Sequence, residues 1–129
     1  GMAGASLAAE LAGLAGKARI ALLEAEDRPG YHATGRSAAF WEQCYGGPEV
    51  VPLTLASGPY LREHGFLRPR GALYIGRGRD EAAIAGFEER FAGSAASFSR
   101  LHRPDLERRI PGLRPQWQHA IWQPDCADI

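Results

Sequence analysis

The sequence lacks both a net charge and a long apolar run. Fifteen Lys and Arg residues balance fifteen Asp and Glu residues in a chain of 129. A balanced chain has no excess of basic surface of the kind that attracts nucleic acid or an anionic membrane, so neither partner is expected. No uninterrupted apolar stretch approaches the roughly 20 residues that cross a bilayer, so no transmembrane segment is expected either.

Paired cysteines and metal-binding histidine patterns are also missing. The two cysteines, Cys44 and Cys126, lie far apart and form no CxxC pair, which argues against a disulfide framework and favours a reducing compartment. The four histidines show no spacing typical of metal ligands, so no metal site is predicted. Because the apolar N-terminal residues carry no basic leader, the protein is expected to be cytoplasmic.

The composition that is present, 45% hydrophobic and 23% charged residues, is that of an ordinary globular domain. Periodicity and chain breakers predict helices at 4–15, 36–44, 49–64, 79–93 and 103–112. They predict strands at 19–24, 71–76, 97–102 and 119–124, the first of them buried in a parallel sheet. The pattern is α/β, and a change of element type near residue 66 predicts two subdomains, 1–65 and 66–129.

The opening residues, GMAGASLAAELAGLAG, allow two interpretations. Gly1 and Met2 can be the remnant of a cleaved tag, or Gly1 and Gly4 can be the last two glycines of a GxGxxG dinucleotide-binding turn. Such a turn brings helix amides close to a pyrophosphate, and an acid about 20 residues past its last glycine binds ribose hydroxyls. Glu24 stands at that distance from Gly4, which favours the second interpretation. The first glycine and its preceding strand are not in the sequence.

A second group of anion-binding residue types follows in the loop PGYHATGRSAAF, residues 29–40. Thr34 and Ser37 provide hydroxyl groups, and Arg36 provides a guanidinium group. Gly35 leaves the backbone accessible because it has no side chain. Residues 37–39 are expected to begin a helix and to present free amides to a phosphate. The loop therefore predicts a second anion cradle, with an ordinary cap by Thr34 and a solvated Arg36 as the alternative.

Three segments, GMAGASLAAEL, ALLEAEDRPGYHATGRSAA and WQPDCADI, together resemble the D-amino-acid oxidase/glycine oxidase superfamily of FAD-dependent oxidoreductases. The similarity is greatest to its bacterial D-amino-acid dehydrogenase branch. Members of that branch carry GxGxxGAS and, further along, the continuous motif LExExxPGxHxTGRSAA, in which the residue between His and Thr is Ser or Ala. The second motif matches nearly unbroken from Leu23 to Ala39 and is much more specific than the glycines. The resemblance implies a partial Rossmann-like FAD-binding unit without its first strand, followed by the start of an α+β substrate-binding subdomain.

The resemblance also implies roles for individual positions. Gly1 and Gly4 match the second and third fingerprint glycines, and Glu24 matches the acid on the adenosine ribose. Further FAD contacts are implied at Ala25, Thr34, Gly35, Arg36, Ser37 and Ala38. His32 belongs to the motif, and a role in ordering the loop is expected for it.

Three aromatic residues after the motif have two interpretations each. Tyr45 matches a position near the substrate in related dehydrogenases, and it is equally explained as a packing residue before the Gly-Gly turn. Phe40 and Trp41 can form an aromatic lid over the flavin, although core packing is the expected role.

The activity implied by the resemblance is oxidation of a small-molecule amine, most simply a D-amino acid or a glycine-like compound. Hydride passes to the flavin, and the imine hydrolyses to a 2-oxo acid and ammonia. The Arg and Tyr that hold the substrate carboxylate come from a later half of the chain that is not in this sequence. We therefore expect an N-terminal fragment that is inactive alone and needs the remainder of the same chain.

Two alternatives to this function stay open. The chain can be a non-catalytic α/β remnant or interaction module. It can also belong to another Rossmann-type flavin or NAD oxidoreductase, although NAD-binding units have no need of a TGRS cradle after the ribose acid.

Overall fold

The computed structural model describes residues 1–14, 16–37 and 40–129. Contacts divide the chain into two compact units, Gly1–Ala38 and Ala39–Ile129. The mixed α/β class agrees with the sequence prediction. The predicted subdomain boundary between residues 65 and 66 falls inside the second compact unit, and the functional division into 1–65 and 66–129 stays a prediction.

The first unit contains two helices, α1 (Met2–Leu14) and α2 (Ala33–Arg36). Helix α1 agrees with the prediction from Gly4 onward, and Ala15, its predicted end, lies outside the described residues. Its apolar stripe is exposed: Leu7 and Leu14 are 60% and 81% accessible. Helix α1 is therefore not stabilised by burial of this stripe within its own unit.

The strand predicted at 19–24 is not formed. Leu22 and Leu23 are 62% and 90% exposed, and the described residues of the first unit contain no strand. A β-strand exists through hydrogen bonds to a neighbouring strand, and the segment RIALLE has no such partner there. The prediction of a buried parallel strand at 19–24 is therefore wrong for the described structure.

The second unit is built from three helices and six strands. The helices are α3 (Val51–Glu63), α4 (Glu81–Phe91) and α5 (Arg103–Arg109), with a 3₁₀ turn at Gly78–Asp80. The strands are β1 (Phe40–Trp41), β2 (Arg68–Pro69), β3 (Ala72–Arg77), β4 (Ser99–His102), β5 (Trp117–Gln123) and β6 (Ala127–Asp128). They form two antiparallel sheets, ordered β1-β6-β2 and β3-β5-β4. Elements predicted after residue 65 are confirmed in type and order.

The helix predicted at 36–44 is not formed. Helix α2 ends at Arg36 and strand β1 begins at Phe40, with Ala38 and Ala39 outside the described residues. Trp41 is 4% exposed and pairs with Ala127, so burying its large indole in a sheet outweighs local helix propensity. Its Nε1 donates to Oγ of Ser57 at 3.3 Å. The expected core role of Trp41 is confirmed.

One hydrophobic cluster of the second unit includes residues of α3 and α4. Val51, Cys44 and Phe91 are buried together, and Phe87 and Phe98 pack against them. The ring centroid of Phe87 lies 4.8 Å from that of Phe91 and 5.3 Å from that of Phe98. This aromatic packing joins α4 to the segment that leads into β4.

Candidate functional site

Three candidate cofactor residues of the first unit, Gly1, Glu24 and Thr34, meet around one cavity of about 470 Å³, whereas Gly4, Ala25, Gly35, Arg36 and Ser37 do not line it. It is lined by Gly1, Met2, Ala5, Leu22, Leu23, Glu24, Pro29, Gly30 and Thr34. A second hollow of about 190 Å³ shares Gly1, Glu24, Gly30 and Thr34 and extends to residues 31–33. Three separated stretches of sequence thus converge: the start of α1, the segment ending at Glu24, and the 29–34 loop.

Thr34 joins the loop to the start of α1. The backbone N–H of Met2 donates to Oγ1 of Thr34 at 3.2 Å. A Cβ on Gly1 would lie 3.2 Å from the same oxygen, so a side chain there would crowd the contact. The first amides of a helix lack intrahelical acceptors, and the helix dipole adds partial positive charge. The start of α1 is therefore suited to an anionic group.

Glu24 stands at the same cavity with its carboxylate fixed by the backbone. Its Oε1 accepts hydrogen bonds from the amides of Ala25 and Glu26 at 3.0 and 3.3 Å. Its Oε2 lies 3.8 Å from the backbone nitrogen of Gly1, and the side chain is 36% exposed. The carboxylate is thus accessible and oriented towards the start of α1, where hydroxyl groups of a ligand can donate to it.

The 29–34 loop and α2 approach each other closely through two glycines. Gly30 has a φ of +74°, in the left-handed region that favours glycine. A Cβ on Gly35 would lie 2.0 Å from the carbonyl oxygen of Gly30. Any larger residue at position 35 would therefore push the two backbone segments apart. Gly4 is not constrained in this way, because a Cβ there would meet Leu22 at an ordinary 3.7 Å.

Arg36 and Ser37 lie outside the cavity. The Nε of Arg36 donates to the carbonyl oxygen of Tyr31 at 3.2 Å, and its guanidinium stacks over the Tyr31 ring. Ser37 is the exposed C-cap of α2, with a φ of −88° and a ψ of 133°. The helix start expected at 37–39 is therefore wrong at Ser37, and Ala38 lies outside the described residues. The roles of Arg36 and Ser37 towards a cofactor stay predictions.

His32 and Tyr45 complete the predicted set. Nε2 of His32 lies 2.7 Å from Oε1 of Glu26, a contact that ties the loop to the segment after Glu24. This pairing agrees with the expected ordering role. Tyr45 belongs to the second unit and is 77% exposed, so burial in that unit does not explain it. Its role as a substrate contact stays a prediction.

Sequence reasoning missed the apolar wall of the cavity. Met2, Leu22 and Pro29 line it, together with Gly30. Leu22 stands two positions before Glu24, and this alternation could have placed both side chains on one side of an extended segment. Pro29 and Gly30 were recognised as loop breakers only.

The two thiols belong to a different part of the molecule. Cys44 and Cys126 are buried in the second unit and unpaired. Burial, with a smaller effect of Glu42, raises the pKa of Cys44 from 9.0 to about 11 and that of Cys126 to about 12. Because the fold favours the protonated thiols, their contribution to stability is complete below pH 9 and is lost as the pH rises through about 11 for Cys44 and about 12 for Cys126.

We expect both thiols to be unreactive in the folded protein. Near pH 8 the thiolate fraction of Cys44 is about one thousandth, and the thiolate is the reactive form. Labelling with a chromogenic disulfide reagent should be slow in buffer and should reach two equivalents rapidly in guanidinium chloride. Rapid labelling of both cysteines in buffer would contradict the burial.

No group of three His, Cys, Asp or Glu side chains in the described ranges could hold a metal ion. Nor is any helix in those ranges long and apolar enough to cross a membrane. Comparison with protein families gives a match over residues 1–129, to the family model described as DAO, FAD-dependent oxidoreductase. The match spans both compact units.

Proposed function

Because the chain belongs to the DAO family of FAD-dependent oxidoreductases, we propose that its first unit binds the adenosine and pyrophosphate end of FAD. FAD is the cofactor of this family, and its activity is an FAD-dependent oxidation. The observation that carries the proposal is the meeting of the α1 start, Glu24 and Thr34 around one cavity. The proposed roles follow the matched positions of the dinucleotide fingerprint and the TGRS loop.

The residues around the cavity fit the chemistry of this cofactor. A volume of about 470 Å³ lies within the usual range for small-molecule sites. The start of α1 suits a pyrophosphate, and the Glu24 carboxylate suits ribose hydroxyls. Leu22 and Ala5 provide apolar surface for an adenine ring. The mixture of one acid, one helix start and apolar walls matches the three parts of an adenosine diphosphate group.

Bound FAD supplies the acceptor for the electrons removed from the substrate, and the protein supplies binding and orientation. Thr34 holds the loop against the first amide of α1, which keeps the phosphate-binding end in place. The backbone amides after Glu24 hold its carboxylate in position to accept ribose hydroxyls. Gly35 lets α2 approach Gly30 closely enough to maintain this arrangement.

We further propose that the substrate is an amine carried on a CH–NH₂ carbon, a D-amino acid or a glycine-like compound. Support for this narrower class is the resemblance of residues 23–39 to the D-amino-acid dehydrogenase motif. The exposed hydroxyl of Tyr45 is available to contact such a substrate. We expect the 129 residues to bind FAD without turning over D-amino acids.

Replacing Glu24 by glutamine tests the cofactor site. A hydrogen bond to a charged acceptor contributes about 1.5–3 kcal/mol, so Glu24→Gln should raise the dissociation constant of FAD about tenfold or more. Titration of the chain, followed by flavin fluorescence, measures this constant.

The matched control is Glu10→Gln, which removes the same charge from an exposed position on α1. It should leave the affinity unchanged. Equal affinities of the Glu24→Gln variant and the unmodified chain would overturn the proposed role of Glu24. A failure of FAD to bind the chain, even when extended at both ends, would favour the non-catalytic interaction module.

A further inference from the structure

A separate cavity is lined by residues of the second unit only and lies between α4 and the β3-β5-β4 sheet. Its volume is about 190 Å³. Its walls are apolar, formed by Ile84 and Phe87 of α4 and Ile121 of β5. Its polar lining consists of Glu42, Tyr74 and Gln123. Small-molecule sites are commonly apolar cavities with a few convergent polar groups, and a cavity of about 190 Å³ suits only a small ligand.

The polar end is held in a defined orientation. Gln123 is 1% exposed, and its Nε2 donates to Oε1 of Glu42 at 3.1 Å. The thiol of Cys126 donates to Oε1 of the same amide at 3.3 Å, which fixes the amide with its NH₂ group towards Glu42. Tyr74 lies at the same polar end, where burial, with a smaller effect of Glu42, raises the pKa of its hydroxyl.

The hydrogen-bond donor to the Glu42 carboxylate is the neutral side-chain amide of Gln123. The ion pairs among the described residues do not include it. A partly buried carboxylate beside apolar walls is costly unless an opposite charge compensates it. The Gln123 amide orients the carboxylate and contributes no opposite charge. A small cation that entered from the open side of the cavity would supply this compensating charge.

We propose that this cavity binds a small primary alkylammonium ligand. The ammonium donates hydrogen bonds to the Glu42 carboxylate, and Ile84, Phe87 and Ile121 contact the alkyl chain. At about 30 Å³ per non-hydrogen atom, the space admits roughly six such atoms. This site shares no residue with the proposed FAD cavity and requires no flavin. A test of alkylammonium binding is therefore independent of whether the first unit binds FAD.

The test uses n-butylammonium as the cation and n-butanol as its neutral counterpart. Proton–nitrogen correlation spectra of the chain, recorded near pH 7 without FAD, should show saturable shifts with n-butylammonium at millimolar concentration. The side-chain amide of Gln123 should be among the resonances that shift. We expect n-butanol to bind at least tenfold more weakly, because it lacks the charge that Glu42 compensates.

Three variants separate the charge from the shape of the site. Glu42→Gln should weaken n-butylammonium binding at least tenfold, whereas the exposed Glu63→Gln, on α3, should leave it unchanged. Ala83→Leu fills the cavity from an exposed helical position, so it should abolish binding without unfolding the unit. The Ala83→Leu variant therefore still tests the site if the Glu42→Gln variant does not fold. Equal binding of butanol and butylammonium, unchanged binding by the Ala83→Leu variant, or no saturable shift would overturn the proposal.

Discussion

Replacing Gly35 by alanine should lower the affinity for FAD at least tenfold. The added Cβ would lie 2.0 Å from the carbonyl oxygen of Gly30, and a backbone atom cannot move aside as a flexible side chain can. The loop must therefore shift, and Thr34 would move with it away from the amide of Met2. Flavin fluorescence titration gives the affinity, and amide resonances of residues 30–36 report the displacement.

The matched control for this substitution is Gly13→Ala. Position 13 is an exposed part of α1, and a Cβ there meets no atom within 4 Å. Alanine is favoured over glycine in a helix by about 1 kcal/mol, so this variant should be at least as stable as the unmodified chain. Unchanged FAD affinity in the Gly35→Ala variant would refute the close approach at Gly30 as a requirement of the site.

The largest loss of stability is expected from Leu106→Ala. Leu106 is the completely buried residue of α5, with 0% exposure. Truncation of a fully buried leucine removes apolar contacts and leaves a cavity, which costs about 2–5 kcal/mol. Guanidinium unfolding followed by tryptophan fluorescence measures the loss specifically in the second unit, since Trp41, Trp117 and Trp122 all belong to it.

Leu53→Ala provides the comparison at the same residue type. Leu53 lies on α3 and is 71% exposed, so its truncation should change the free energy of unfolding by less than about 0.5 kcal/mol. A similar loss in both variants would contradict the assignment of Leu106 to the core.

The elements that the sequence predicted well are those with a complete local signal. Helix α4 repeats apolar residues at 84, 87 and 91, and these positions face the core. Strands β3 and β5 are continuous runs whose pairing is satisfied within the described residues. In such segments the pattern that predicts the element also states which face it buries.

Other elements depend on partners far away in the sequence. Strands β1 and β6 have two residues each, too few for any periodicity, and they exist because Trp41 pairs with Ala127. The segment 19–24 illustrates the converse, because it has a strand-like sequence and no strand beside it. Local pattern therefore predicts the capacity to form a strand, whereas the tertiary partner decides whether the strand forms.

Part of the candidate cofactor site could be predicted from local sequence, and part depends on the tertiary structure. Spacing and motif predicted Gly1, Glu24 and Thr34, which the fold brings to one cavity. The orientation of the Arg36 side chain depends on the backbone at Tyr31, whose carbonyl oxygen accepts its hydrogen bond. Motif spacing does not predict this contact. The functional roles of these residues await the titrations described above.

The position of β6 at the centre of its sheet has a consequence for biosynthesis. Strands β1 and β2 each pair with β6 and lie on opposite sides of it. During translation, Trp41 leaves the ribosome long before Ala127 is made, and at roughly 5–20 residues per second the interval lasts several seconds. Throughout that time a large indole lacks its strand partner, so the nascent second unit is exposed to aggregation and to chaperone binding until β6 emerges.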